Sequence, residues 1–94
     1  MNKYESVIIV NPEIEEAGLK ALEEKFTGLI NKTGKVEDVK NLGKKQLAYE
    51  IKAFKEATYM QFDFDAEPQT IAELERNYRI TDDVLKFITV KKEA

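Results

Sequence analysis

Histidine and cysteine are both absent from the 94 residues. The usual proton shuttle near neutral pH and the strongest side-chain nucleophile are therefore missing. Acid–base or metal chemistry would fall to carboxylates alone. Two pairs lie close in sequence, Asp63 with Asp65 and Asp82 with Asp83. Such pairs can hold Mg²⁺ or act as acid and base, but neither has a third ligand nearby in sequence. Asp63 and Asp65 read as a solvated strand face, and Asp82-Asp83 as turn and capping residues. Gly18, Gly28, Gly34 and Gly43 are isolated, so no glycine-rich phosphate loop exists. The residue types argue against an enzyme, a metal site or a cofactor.

What remains is a basic stretch with an aromatic in it. Leu42 to Lys52 reads LGKKQLAYEIK, with Lys44 and Lys45 ahead of the alternating segment Leu47, Ala48, Tyr49, Glu50, Ile51. Lysines beside an aromatic strand suit nucleic-acid contact. They also suit an edge strand guarded against unwanted pairing, which is the commoner case.

Net charge is −3, which excludes a uniformly basic nucleic-acid binder, yet the charge is uneven. Residues 35–62 carry six lysines against four acids, and residues 63–75 carry five acids and no base. The basic excess in the middle and at the C-terminal end makes a local basic patch if those regions meet. The length suits one domain over 1–94 with a real core. Lack of cysteine fits a reducing compartment. No apolar run approaches the roughly 18 residues of a membrane helix. MNKYESVIIVNP is no signal peptide, so a cytosolic protein is expected.

The elements that must position these residues follow from periodicity. Lys3 to Val10 becomes the continuous run Val7-Ile8-Ile9-Val10, which predicts a central strand buried on most of both faces. Asn11 and Pro12 then fit the N-cap and first position of a helix of about five turns, stopped by Gly34. Ile14, Leu19, Leu22, Phe26, Leu29 and Ile30 form its apolar stripe. A long second strand follows from Lys35, with a bulge near Asn41 to Lys44 where Gly43 interrupts. Lys52 to Ala57 reads as a polar loop. Thr58 to Ala66 predicts a strand with Met60, Phe62 and Phe64 on the core side and Tyr59, Gln61, Asp63 and Asp65 opposite. Glu67-Pro68 opens a second helix ending near Ile80. Val84 to Val90 forms the last strand, before a short charged end, Lys91-Lys92-Glu93-Ala94.

The order β-α-β-β-α-β predicts an α+β, ferredoxin-like sandwich: a four-stranded antiparallel sheet with both helices on one face. Right-handed crossovers give the strand order 4-1-3-2, with the second strand at an edge. Sheets of this kind often bind RNA on the open face through aromatics of the central strands. Here the third strand, EATYMQFDFD, has acid where base and glycine are needed. Tyr59 is its only aromatic facing away from the core, which argues against that mode.

Gly43-Lys44-Lys45-Gln46-Leu47-Ala48-Tyr49-Glu50-Ile51-Lys52 resembles the signature of the bacterial small-subunit ribosomal protein S6 family. There, a glycine and basic residues precede Leu-Ala-Tyr-x-Ile at the same offset. Tyr4-Glu5 with an apolar run and Asn11-Pro12 is similar to the family's opening. Arg79-Ile80-x-Asp82-x-Val84-x-Lys86, then Val90-Lys91, is similar to its close. The resemblance covers the whole chain.

The resemblance implies a structural, non-catalytic protein of the ribosome in the cytoplasm. It implies binding to the central domain of 16S ribosomal RNA, as part of the platform, together with small-subunit ribosomal protein eighteen. Carried over by position, Lys3, Tyr4, Lys86 and Lys91 are the RNA-side candidates, of types suited to phosphate contacts. Lys44, Lys45, Leu47, Ala48, Tyr49 and Ile51 are the candidate protein-partner edge. Lysines stand before Gln46 and at Lys86 where the family often has arginine, so the charge is kept without the planar fork. Glu50 replaces a frequent proline. The alternative of another class is a ligand-sensing or dimerising ferredoxin-like module, which a stable homodimer in light scattering would reveal.

Overall fold

The computed structural model describes residues 2–92. In chain order it contains β1 (Asn2–Val10), α1 (Glu16–Asn31), β2 (Lys35–Ile51), β3 (Phe54–Ala66), α2 (Pro68–Ile80) and β4 (Val84–Lys92). The four strands form one sheet in the order β2-β3-β1-β4, with every neighbouring pair antiparallel. This is the expected ferredoxin-like α+β arrangement, with β1 and β3 central and β2 and β4 at the edges.

Side-chain alternation places Tyr4, Ile8 and Val10 of β1 beside Met60, Phe62 and Phe64 of β3 in the core. Leu22, Phe26 and Ile30 of α1 and Leu74 and Tyr78 of α2 close over them. Phe26 meets the Tyr78 ring edge-on at 4.7 Å and the Phe62 ring at 6.2 Å, geometries that favour aromatic pairs. Tyr78 keeps its hydroxyl satisfied at 2.9 Å from Ser6 Oγ, which also lies 3.0 Å from Thr89 Oγ1. Burial pushes the Tyr78 phenol well above its ordinary pKa, so it stays a neutral strut.

Three boundaries and one burial differ from the sequence expectation. Helix α1 begins at Glu16 rather than Pro12, because Asn11 serves a turn instead of the helix. Its side-chain Oδ1 accepts the Glu13 N–H at 2.9 Å, while its own N–H donates to the Asp83 carbonyl at 2.8 Å. Asn11 thus ties the end of β1 to the start of β4, and Glu15 occupies the N-cap without a side-chain bond.

The second difference is the connection between β2 and β3. Instead of a polar loop over 52–57, Lys52 and Ala53 alone make the turn, with φ of 49° and 70°, and β3 starts at Phe54. Two positive φ values match the twist of a tight hairpin, but Lys and Ala carry no signal for it. Third, β4 runs on to Lys92, with Lys91 and Lys92 opposite Tyr4 and Lys3; Glu93 and Ala94 lie outside the described residues. Fourth, Asp63 is 9% exposed rather than solvated. The bulge in β2 is where expected: register slips between Asn41 and Gly43, Gly43 has φ of 77°, and Asn41 Oδ1 accepts the Gly43 N–H at 2.9 Å.

Candidate functional site

With both helices on one face, the other face of the sheet carries Lys3, Glu5, Val7 and Ile9 of β1 and the residues paired with them. Its two ends differ in chemistry. At one end, Lys3 Nζ lies 3.0 Å from Glu37 Oε1 and 3.7 Å from Asp65 Oδ1. Beside it, Asp63 receives Lys92 at 2.9 Å and lies 3.6 Å from Lys40, and Gln61 Nε2 donates to it at 3.2 Å.

The titration shifts follow from this geometry. Burial acts to raise the Asp63 carboxyl, but the Lys92 and Gln61 hydrogen bonds and the charges of Lys92 and Lys40 outweigh it and hold the group below its ordinary value. The hydrogen bond from Lys3 lowers Glu37 and, reciprocally, raises Lys3. These carboxylates face cations already in place. Among the described residues no group of three or more metal-ligating side chains that could hold an ion is found, and no helix is long and apolar enough to cross a membrane.

The other end is apolar. Val7, Ile9, Tyr59 and Ile88 form a floor, and the tip of the β2–β3 hairpin folds over it to enclose a cleft of about 230 Å³. The fold-over has a local cause. Gln46 pairs with Glu56 and Ile51 with Phe54, so four β2 residues stand opposite only Lys55. Leu47, Ala48, Tyr49 and Glu50 therefore bow out of the ladder. Leu47, Ala48 and Tyr49 become the roof of the cleft instead of part of a straight edge.

One contact holds the roof down. Lys86 Nζ, from the far edge of the sheet, donates to Tyr49 Oη at 2.8 Å. The same ammonium is 5.4 Å from the ring centroid, close to the reach from ring centre to hydroxyl plus that hydrogen bond. It therefore lies beyond the hydroxyl, near the ring plane, and leaves both ring faces free of it. Tyr49 is 61% exposed. Lys45 Nζ stands 5.6 Å from the Tyr59 ring.

Of the four residues expected on the RNA side, Lys3, Tyr4 and Lys91 lie at one end of β1 and β4, where Lys91 pairs with Tyr4, and Lys86 stands apart, opposite Ile9. Lys3 belongs to the ion-paired end. Tyr4 is 9% exposed, its ring stacked on Phe64 at 5.8 Å within the core. Lys91, opposite Tyr4, is exposed toward the helix side, and Lys86 is in the clasp on Tyr49. The expected partner-edge residues stay together, with Lys44 and Lys45 opposite Thr58 and Ala57. Sequence reasoning missed that Lys86 joins them. It also missed the floor of Val7, Ile9 and Ile88, although all three alternate onto the non-core face of their strands and Ile88 is 53% exposed.

A family model described as Ribosomal protein S6 matches residues 3–91. The small ribosomal subunit protein bS6 of Heliobacterium modesticaldum is 42% identical over 94 residues, covering 99% of this chain and 98% of its own length. The protein of the same name from Clostridium kluyveri is 47% identical, covering 99% of each. A crystal structure of 30S ribosomal protein S6 from Thermotoga maritima aligns with a TM-score of 0.91 at 32% identity, covering 97% of this chain and 87% of that one.

Proposed function

The chain belongs to the ribosomal protein S6 family of the small ribosomal subunit, and from that premise we propose that it binds 16S ribosomal RNA in the central domain, as part of the platform, together with small-subunit ribosomal protein eighteen. The observation that carries the reading is the family match over residues 3–91, with relatives of 42% and 47% identity along their whole length bearing the small-subunit name. The role is structural, in the bacterial cytoplasm, with no catalytic step.

The geometry supports a division of labour. Lys3 already faces two carboxylates and Tyr4 has its ring in the core, so both act by holding the end of β1 in place. Direct phosphate contacts fall to Lys86 and Lys91, whose ammonium groups form no ion pair among the described residues, with Lys44 and Lys45 beside the hairpin. Phosphate contacts of this kind fix position and register without reading sequence. The outer edge of β2 and the bowed segment Leu47-Ala48-Tyr49, closed by Ile51, are the surface for the protein partner. A strand edge left without a neighbour accepts a further extended segment.

The test is a titration of a 16S central-domain fragment with the purified chain, alone and with protein eighteen. Weak binding alone and tight binding with the partner are expected, with log affinity falling against log salt at a slope of about −2 or steeper as counterions are released. If the pair fails to bind the fragment at low salt, the reading is wrong.

A further inference from the structure

We propose that the cleft beneath the hairpin tip is a nucleotide site, in which the ring of Tyr49 stacks on one unpaired RNA base and Lys86, with Lys45, receives the adjoining phosphate. The inference rests on the RNA-binding reading above and assigns it a place that neither the basic residues nor the family name points to. Tyr49 then contributes its backbone to the outer edge and its ring to the cleft.

Size comes first. At about 230 Å³ the cleft falls below the ~300–1,000 Å³ of pockets that enclose drug-sized ligands, and suits a single planar ring. Its walls suit one as well. Two tyrosines belong to the lining, Tyr59 from the floor and Tyr49 from the roof, and the aliphatic part is Val7, Ile9 and Ile88. Bases stack on aromatic faces without regard to sequence.

Charge selects the ligand class. The lining includes the Lys86 ammonium and no carboxylate, and Lys45 stands at the outer side of Tyr59. The other carboxylates of the open face lie further along it: Asp63, Asp65 and Glu37 are matched to Lys92, Lys40 and Lys3, and Glu5 stands beside Asp63, outside the lining. Glu50 and Glu56 lie on the other side of the hairpin, in a separate hollow with Lys55. An apolar cleft lined by two tyrosines and Lys86, with Lys45 beside Tyr59, fits a base joined to a phosphate.

Pre-organisation is the last element. An exposed tyrosine ordinarily loses side-chain freedom on binding, which subtracts from affinity. Here Lys86 fixes the hydroxyl at 2.8 Å while leaving the ring faces open. The clasp presents the platform before the ligand arrives. The sheet lacks the aromatic pair of an RNA-recognition motif on its central strands, and the folded-over hairpin supplies the second ring from β2.

The experiment uses the full chain bound to protein eighteen, with the 16S central-domain fragment as probe and three substitutions. Tyr49→Leu keeps an apolar roof and removes the ring; its RNA affinity is expected to fall about 5- to 150-fold, the range for loss of one stacked base, with the salt slope unchanged. Tyr49→Phe keeps the ring without its clasp and is expected to fall less than Tyr49→Leu. Lys86→Met is expected to weaken binding and to flatten the salt slope by about one phosphate. In parallel, methyl resonances of Val7, Ile9 and Ile88 are expected to shift upfield on addition of hexauridylate to the chain alone. Unchanged RNA affinity of Tyr49→Leu, with the wild type binding normally, overturns the inference and leaves the functional reading intact. Loss of protein-eighteen binding in Tyr49→Leu, measured without RNA, with the RNA affinity of the preformed pair unaltered, also overturns it and gives Tyr49 to the protein partner. Failure of the wild-type pair to bind overturns both.

Discussion

The two ends of the open sheet face are built from the same strands by the same alternation, and they behave as opposites. At one end Lys3, Lys40 and Lys92 meet Glu37, Asp63 and Asp65 at 2.9–3.7 Å. At the other, Val7, Ile9, Tyr59 and Ile88 meet the roof of a hairpin held by one lysine. Charge complementarity within a surface makes it solvated and closed to partners. Apolar floor with cations at the rim leaves a surface incomplete. On the function proposed above, the incomplete end is the working end, and the satisfied end is a frame that fixes the strands.

The contrast can be broken from either side. Ile9 is 7% exposed, so its burial belongs to the fold as well as to the cleft. Ile9→Ala is expected to lose about 2–4 kcal/mol of stability, read as a drop in the urea midpoint. Such a loss would show that the cleft floor is anchored in the core at Ile9, while Ile88 beside it stays exposed.

Gly43 sits at the β2 bulge that precedes the hairpin. Its φ of 77° is costly for any residue with a Cβ, and a Cβ there meets nothing within 4 Å, so the backbone conformation alone is tested. Gly43→Ala is expected to cost about 1–2 kcal/mol, with faster amide exchange at residues 47–50. Unchanged exchange there would separate the bulge from the placement of the tip.

At the ion-paired end the expected effects are smaller. Asp63→Asn leaves Lys92 and Lys40 without their shared anion and is expected to cost about 1 kcal/mol, since both lysines remain largely in water. The pH dependence has a definite sign. Asp63 has its folded pKa held below the ordinary 3.8, so its contribution is present above that value and is lost as pH falls through the lower folded pKa. Glu37 is lowered in the same direction. Acid titration of stability should therefore be shallower below about pH 4 in Asp63→Asn than in the wild type. Smallest of all, Lys3→Met removes a half-exposed cation from its pairs with Glu37 and Asp65, and is expected to lower stability only slightly in physiological salt, read as a small drop in melting temperature.

Much of this architecture is legible in the sequence because it is local. Period-two runs such as Met60-Gln61-Phe62-Asp63-Phe64 declare a strand and its faces. The stripe from Leu19 to Ile30 declares α1, and Gly43 marks the bulge. The helix start was misplaced because Asn11 has the same side-chain acceptor for a turn as for a helix cap, and only the distant Asp83 carbonyl selects between them. Lys52-Ala53 hid a tight turn because neither residue favours positive φ.

The site was legible in part. Leu47 to Ile51 are together as the spacing suggested, but the bowed segment is clasped by Lys86, 37 residues away from Tyr49. No window along the chain contains that pairing. Asp63 was misjudged for the same reason: three strands deliver the side chains that surround it. The basic residues were easy to find and poorly informative, because a lysine's use depends on whether a carboxylate waits beside it.

The most direct test is hydroxyl-radical footprinting of the chain inside assembled small ribosomal subunits, compared residue by residue with the free protein. The account predicts protection at Leu47, Tyr49, Tyr59 and Ile88, with Glu37 and Lys40 as accessible as before. Protection confined to the ion-paired end, with Tyr49 and Ile88 unchanged, would contradict it.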